Sequence, residues 1–236
     1  MADEIETLAP AADPHRDAQA TKERLLEAAV RLFAAKGFQG TSVRAVTQAA
    51  GTSVSAANYH FGSKEEMVGA AIRLRAEPLN RRRLEALEQV ERAAGESATV
   101  EEIVGAFVRP VFERREAVGP EDAAYRGLAA RLYLDPRESV AQIRREIFEP
   151  VNDRFCEALH AAMPGASRSE IDLALQLAVA VLVHLLSRDA STLAIGGGMD
   201  AEERLSKLVA FAAAGIAAVV TLDSSTDSNV PEGGAS

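Results

Sequence analysis

Residues 41–64, TSVRAVTQAAGTSVSAANYHFGSK, set the organisation of this 236-residue chain. The stretch predicts a short amphipathic helix, a tight turn at Gly51, a second very short helix and the start of a longer one. Ser53 is placed to cap the second helix. Two short helices that meet at a tight turn form a helix-turn-helix unit, whose second helix fits the major groove of DNA. The first helix carries an apolar stripe made by Val43, Val46 and Ala50.

The distribution of charge agrees with this assignment. The chain has a formal net charge of −9, but residues 21–75 hold eight Lys or Arg against four Glu and carry a net charge of +4. Residues 1–20 carry −4 and residues 76–236 carry −9. The one basic block therefore contains the helix-turn-helix unit, and this polarity would direct it towards DNA phosphates while the rest of the chain is repelled.

Composition and periodicity predict an all-α fold of about nine helices. Ala and Leu dominate and aromatic residues make up only 5% of the chain, which favours helices over a sheet. The first helix is predicted to begin near Thr21 and to end at Gly37. The fourth is predicted to begin at the Ser63–Glu66 capping box and to run to about Arg92. Pro78 lies inside it and is expected to bend or interrupt it.

Helical periodicity continues through the remaining two thirds of the chain. Pro150 is expected to interrupt one of these helices. We predict helices from the Thr99–Glu102 capping box to about Val118, across 121–133 and 137–162, from a cap at Ser169 to about Arg188, and from the Asp200–Glu203 capping box to about Leu222.

The pattern divides the chain into four segments. We assign residues 1–19 to a disordered acidic tail, 20–66 to a DNA-binding domain, 67–222 to a helical ligand-binding and dimerisation domain, and 223–236 to a second disordered tail.

Residue usage predicts a soluble cytoplasmic protein without a metal or another cofactor. A single cysteine, Cys156, cannot form an internal disulfide. No signal peptide is recognisable in the acidic N-terminal residues. The longest apolar runs, Leu173–Leu186 and Leu208–Leu222, fall short of the roughly 18–20 residues that a membrane span requires.

Three short motifs resemble the signature of the TetR/AcrR family of transcriptional repressors in their order and spacing. They are TSVR at 41–44, AG at 50–51 and NYHFGSK at 58–64. Ser55, where the family often has Gly, and Asn58, where it usually has an aromatic residue, depart from that pattern. The stretch Val54–Lys64 also resembles the fatty-acid-responsive branch of the family. Beyond residue 75 the resemblance is one of architecture: a helical domain of the expected length that binds a ligand and forms a dimer.

The resemblance implies a division of the DNA contacts between two groups of residues. Val54 has two possible roles, contact with a thymine methyl group or an inward stripe with Ala57 and Phe61. Tyr59 and His60 are either phosphate contacts or partly buried spacers. We assign phosphate contacts to Thr41, Ser42, Tyr59, His60 and Lys64, and base contacts to Arg44, Ser53, Val54, Ser55, Ala56 and Asn58.

The C-terminal domain is expected to hold a ligand pocket between its helices. Aromatic residues at helical spacing are also typical of an ordinary core, and both assignments remain open for each of them. Arg109, Arg126 and Arg131 either receive an anionic head group or lie on the solvated surface. The pocket candidates are Phe107, Phe112, Tyr125, Tyr133, Phe148, Phe155 and His184.

The last two helices are apolar around most of their circumference. This pattern is typical of helices packed between their own core and a partner subunit, and it also fits a core buried within one subunit. By resemblance to the family we assign the dimer interface to Leu175, Val179, Leu182, Leu186, Leu208, Phe211, Gly215, Ile216 and Val219.

These observations predict a homodimeric repressor that binds a palindromic DNA operator and is released by a small-molecule effector of apolar or acyl-like character. A helical small-molecule-binding protein without sequence-specific DNA binding is the alternative. An all-α enzyme would require a convergent catalytic or metal-binding motif, and the sequence contains none that we recognise.

Overall fold

The computed structural model describes residues 14–94, 97–112, 128, 131–133, 135–187 and 200–222. No strand occurs in these ranges, and the prediction of an all-α fold is confirmed. Residues 131–133 are also helical. The helices are α1 (Pro14–Lys36), α2 (Val43–Ala49), α3 (Val54–Phe61), α4 (Lys64–Ala94), α5 (Val100–Phe112), α6 (Glu138–Ala162), α7 (Arg168–Ser187) and α8 (Ala201–Leu222).

The first helix begins earlier than predicted. It starts at Pro14 rather than near Thr21, so residues 14–19, which we assigned to a disordered tail, are helical. Proline is favoured in the first turn because its missing N–H has no partner there and its φ angle is already helical. The predicted end is confirmed: Gly37 has a φ of 71° and its N–H donates to the Phe33 carbonyl at 2.9 Å.

Serine side chains cap the three helices that follow the short connections of the helix-turn-helix unit. Ser42 Oγ accepts from the Ala45 N–H and Ser53 Oγ from the Ala56 N–H, both at 3.1 Å. Ser63 Oγ accepts from the Glu66 N–H at 3.0 Å. Each bond satisfies a donor that has no partner inside its own helix, which fixes where α2, α3 and α4 begin.

Two hydrophobic cores stabilise the described part of the chain. The first joins α1, α2, α3 and the first half of α4 to the beginning of α6, and it contains Leu128 and Leu132 as well. The second joins the end of α4 to α5, the rest of α6, α7 and α8. The N-terminal helices therefore share a core with part of the C-terminal region, and α4 and α6 belong to both cores.

The helices that contain proline continue through it. Pro78 lies within α4 and Pro150 within α6, and the predicted interruption at Pro150 is wrong. Both prolines are exposed, so water can bond to the carbonyl that each leaves without an N–H partner.

The cap of α7 lies two residues before the predicted one. The Ser167 N–H donates to Glu170 Oε2 at 2.6 Å, and the Glu170 N–H donates to Ser167 Oγ at 3.3 Å. This reciprocal pair is a capping box. Ser167 rather than Ser169 therefore caps the helix.

Candidate nucleic-acid interface and ligand cavity

One face of α3 is fully open to solvent. Ser53, Ser55 and Asn58 are exposed, Val54 is 43% exposed and Tyr59 is 84% exposed. Ala56 and His60 are half-buried, whereas Ala57 and Phe61 pack in the first core. The inward assignment of Val54 is wrong, and so is the spacer assignment of Tyr59. DNA contact by the exposed residues stays a prediction.

Two further side chains near the start of α2 are exposed, Ser42 and Arg44. Thr41 does not belong with them. It is only 1% exposed, and its hydroxyl donates to the carbonyls of Leu32 at 3.1 Å and Gly37 at 2.9 Å. The assignment of Thr41 as a phosphate contact is therefore wrong, because its side chain fixes the α1–α2 connection from inside.

Lys64 has a structural role that the sequence did not reveal. Its ammonium donates to the Phe38 carbonyl at 2.5 Å and lies 4.2 Å from the centre of the Phe38 ring. Burial lowers the pKa of Lys64, and the nearby Arg137 lowers it further. The side chain thus joins the α1–α2 connection to the first turn of α4. A phosphate contact through its remaining N–H donors stays a prediction.

Arg131 contacts the last turn of α1 from the C-terminal region. Arg131 Nε donates to the Ala34 carbonyl at 2.7 Å, and its Nη2 donates to the Ala35 carbonyl at 3.1 Å. A cation at this position satisfies the last carbonyls of α1 and complements the negative end of its dipole. The solvated-surface alternative fits Arg131, whose side chain is exposed, but the sequence did not predict its bonds to α1.

Arg137 contacts the α1–α2 connection at Phe38. Its guanidinium carbon lies 4.2 Å from the centre of the Phe38 ring, within the range of a cation–π contact. Asp135 accepts from Arg137 Nε at 2.7 Å, and this bond lowers the pKa of the Asp135 carboxyl. Phe38 is therefore in contact with two cations, one from each region of the chain.

An open cavity of about 470 Å³ lies between α6 and α7, with Tyr133 in its wall. Such a volume suits a small organic ligand. Its apolar surface includes Phe148, Leu175 and Val179, and its polar groups include Arg144 and Gln176. Two of the predicted pocket residues, Tyr133 and Phe148, thus line the cavity.

Most of the other pocket candidates lie elsewhere. Phe107 and Phe155 pack edge to face, with ring centres 5.0 Å apart, around a cavity of only about 10 Å³ in the second core. Phe112 packs against that core, and His184 is exposed on α7. Tyr125 and Arg126 lie outside the described residues. Phe107 and Phe155 are buried among apolar neighbours and do not border the α6–α7 cavity, and their assignment to a ligand pocket stays a prediction.

Two family models match the chain. The model described as "Bacterial regulatory proteins, tetR family" matches residues 25–71, and the one described as "Tetracyclin repressor-like, C-terminal domain" matches residues 105–215. The chain belongs to the TetR family. It is accordingly a DNA-binding transcriptional regulator, and the resemblance seen in its helix-turn-helix motifs is confirmed.

One curated relative matches a short part of this TetR-family regulator. The "Probable HTH-type transcriptional regulator YttP" of Bacillus subtilis is 46% identical over 44 residues, which are 19% of this chain and 21% of that protein. The similarity to this curated relative therefore spans about a fifth of its length.

Solved structures support the fold alone. One from Pseudomonas aeruginosa PAO1 superimposes with a TM-score of 0.60 at 18% identity, covering 91% of this chain and 97% of the other. A transcriptional regulator from Rhodococcus sp. Rha1 gives 0.53 at 22% identity, covering 83% and 95%.

The apolar surface of this TetR-family regulator differs from the predicted dimer interface. Leu175, Val179, Leu182 and Ile216 lie in the second core, so their assignment to a subunit interface is wrong. A different stripe of α7 faces solvent. It consists of Leu173 (52% exposed), Leu177 (50%) and Val181 (38%).

Some residues of the predicted dimer interface are exposed on α8. Phe211 is 64% exposed and Gly215 is exposed, while Leu208 and Val219 are half-buried. The side chain of Leu186, near the end of α7, lies outside the described residues.

By length and composition, Glu202–Thr221 of this TetR-family regulator also passes the test for a membrane span, with a mean hydropathy of 1.6. The uninterrupted apolar run that overlaps it, Leu208–Leu222, is shorter than a span, so the sequence predicted none. One such helix is weak support for a membrane protein, and here α8 packs against α5 and α7. The exposed apolar side chains of α8 fit a protein–protein interface at least as well as a membrane span.

Proposed function

We propose that this TetR-family regulator is a repressor that binds a palindromic operator as a homodimer, releases it when a small molecule occupies the α6–α7 cavity, and catalyses no reaction. The observation that carries this proposal is the exposed face of α3, where polar side chains and Tyr59 stand free of the core. A helix presented in this way on a basic segment suits the major groove.

The exposed residues divide by chemistry into two kinds of contact. Arg44 offers a guanidinium that can pair with both O6 and N7 of a guanine, and Asn58 an amide that can pair with an adenine edge. The hydroxyl of Tyr59 and that of Ser42 suit phosphate oxygens, which position the protein without specifying a sequence.

Dimerisation is supported by the apolar side chains on α7 and α8. Leu173, Leu177 and Val181 lie four residues apart and form one stripe on α7, and Phe211 is exposed on the helix that packs beside it. Large apolar side chains exposed in a row are costly in water and typical of a subunit interface. A two-fold interface formed by these helices would present two α3 helices to the two halves of a palindrome.

Coupling between ligand and DNA is supported by the positions of Arg131, Tyr133 and Arg137. Tyr133 lines the cavity and packs against both cores. Arg131, two residues earlier, holds the end of α1, and Arg137 contacts Phe38. A ligand that binds better when this segment is displaced would bias the helix-turn-helix unit away from its DNA-bound position.

The helix α4 offers a second connection from the cavity to the DNA-binding face. Asn80 Nδ2 donates to the Ile147 carbonyl at 3.0 Å, and Arg83 Nε donates to the Phe107 carbonyl at 2.9 Å. These bonds fix α4 to α6 and α5. A shift of α6 at the cavity would therefore be passed to α4, whose first turn borders the DNA-binding face.

A gel-shift experiment with the promoter region of the protein's own gene tests the proposed function. We expect a sequence-selective shift that weakens steeply with salt, because phosphate contacts release counterions. A shift equal to that of random DNA, or none at all, would support the alternative of a ligand-binding protein without sequence-specific DNA binding, to which the departures at Ser55 and Asn58 point.

A further inference from the structure

The α6–α7 cavity contains polar groups that the described part of the chain leaves without partners. The Tyr133 hydroxyl and the Arg144 guanidinium form no hydrogen bond or ion pair with described residues. Asn152 and Gln176 also border the cavity, and their amides likewise have no partner in those ranges. Polar groups around a cavity are usually paired with protein, water or ligand.

The charges around Tyr133 favour an anion. The Arg144 guanidinium carbon lies 5.5 Å from the centre of the Tyr133 ring. Burial raises the pKa of the Tyr133 phenol, whereas the positive charges of Arg83 and Arg144 both oppose that rise. Two guanidinium groups thus create a positive potential at the hydroxyl, and an acceptor placed beside it would gain from both.

The acidic groups at the cavity limit the charge of the ligand. Asp153 and Asp172 are both held by Arg168, at 2.8 Å and 2.9 Å, so their charges are already paired. Glu149 also borders the cavity and forms no ion pair with a described residue, although its charge interacts with that of Arg145. Its charge would repel a second anionic group on the ligand.

The remaining wall is apolar. Phe148, Leu175 and Val179 line it, and the rings of Tyr133 and Phe148 lie 5.8 Å apart at 44°. The thiol of Cys156 adds another weakly polar surface. Such a wall accommodates an aromatic or aliphatic body.

We propose that the cavity binds a small monocarboxylate with an apolar body, whose carboxylate lies between the Tyr133 hydroxyl and the Arg144 guanidinium. The inference rests on the proposed function only in taking this cavity as the effector site. It defines the class of effector: one negative charge at one end and a hydrocarbon surface at the other.

Calorimetric titration of the full chain with three matched probes tests this inference. We expect 4-phenylbutyrate to bind about tenfold more tightly than the uncharged 4-phenylbutan-1-ol, since a charge-assisted hydrogen bond is worth that ratio. The cationic 4-phenylbutylamine should bind more weakly than the alcohol. Equal binding of the acid and the alcohol, or no binding of the acid, would overturn the proposal.

Variants assign the preference to particular atoms. Arg144→Gln should remove the advantage of the acid over the alcohol, and Tyr133→Phe, which deletes only the hydroxyl, should reduce it. The control is Arg92→Gln near the end of α4, whose guanidinium is paired with Glu88 and does not border the cavity, and it should keep the preference. Retention of the preference in Arg144→Gln, with unchanged helicity, would refute the assignment.

Failure of the inference can be distinguished from failure of the proposed function. Sequence-selective binding to the operator without binding of the acid would disprove the ligand class alone. A chain that binds the acid at this cavity but shows no sequence-selective DNA binding disproves the repressor while the cavity assignment stands.

Discussion

Arg131 Nε donates to the Ala34 carbonyl at 2.7 Å, which fixes a residue beside the ligand cavity to the last turn of α1. The two residues are 97 positions apart in sequence and belong to different regions of the chain. Because α1 carries much of the first core, Arg131, two residues before Tyr133 in sequence, helps to fix the position of the helix-turn-helix unit. The TetR-family fold thus connects its two proposed sites through a small number of polar contacts.

Arg131→Ala should weaken the response of DNA binding to ligand more than it lowers the stability of the protein. We expect a loss of about 1 kcal/mol in the free energy of unfolding, since the lost bonds are exposed and involve helix-end carbonyls. The decrease in operator affinity on adding ligand should become smaller. Urea denaturation and gel shifts with and without 4-phenylbutyrate measure both effects. Arg81→Ala, which removes an exposed arginine of α4, should leave the response unchanged.

Arg44→Ala should relax the preference for one base position. A bidentate arginine–guanine contact discriminates by about 1–3 kcal/mol, so operators substituted at that position should bind the variant with similar affinities. Competition gel shifts against a panel of single-base operator variants measure this. If the variant keeps the full preference of the wild type at every position, Arg44 reads no base.

Tyr59→Phe should weaken binding to operator and to random DNA by the same factor. The phenol is 84% exposed and its removal leaves α3 packed as before, so only a phosphate contact is lost. Titrations of both DNAs by fluorescence anisotropy at two salt concentrations measure the effect. A loss confined to the operator would instead identify Tyr59 as a base contact.

The sequence predicted the helix-turn-helix unit well because its signals are local. Ser53 Oγ caps α3 by accepting from the N–H three residues ahead, and Gly51 and Gly62 have φ values of 63° and 73° that other residues rarely adopt. The roles of Thr41 and Lys64 were missed because their partners, the carbonyls of Leu32 and Phe38, are set by the tertiary fold. Nothing in the spacing of these residues indicates such bonds.

Two other differences have simple physical causes. Ser167 and Ser169 both precede the apolar run of α7, and only Ser167 has a glutamate three residues later to complete the capping box. On α7, leucine and valine occupy nearly every side of the helix. Periodicity alone cannot then decide which stripe faces the core, and the packing of α5, α6 and α8 decides it.

Cys156 should react slowly with thiol reagents in the folded protein. Burial, a hydrogen bond to Asp172 and the charge of Asp153 raise the pKa of the thiol from 9.0 to about 12, and Arg168 only partly opposes them. At neutral pH this reduces the reactive thiolate about a thousandfold. The rate of reaction with dithiobis(nitrobenzoate), with and without urea, measures this.

The same shift predicts a dependence of stability on pH. The pKa is higher in the folded state than in the unfolded one, so the contribution of the neutral thiol is complete below pH 9 and is lost as pH rises towards 12. Cys156→Ala should therefore lose less stability than the wild type between pH 8 and pH 10.5 in urea denaturation. An equal loss in both proteins would show that the thiol makes no such contribution.

Leu177→Glu should convert the protein to a folded monomer that no longer binds its operator. Leu177 is 50% exposed in the single chain, so a carboxylate there meets water in a monomer but would be buried without a partner in a dimer. Analytical ultracentrifugation and circular dichroism should show halved mass with unchanged helicity. Ala161→Glu, which places the same charge at an exposed position near the end of α6, should remain dimeric. Leu175→Glu should instead unfold the second core, because that side chain is only 5% exposed. A dimeric Leu177→Glu would move the subunit interface away from this stripe of α7.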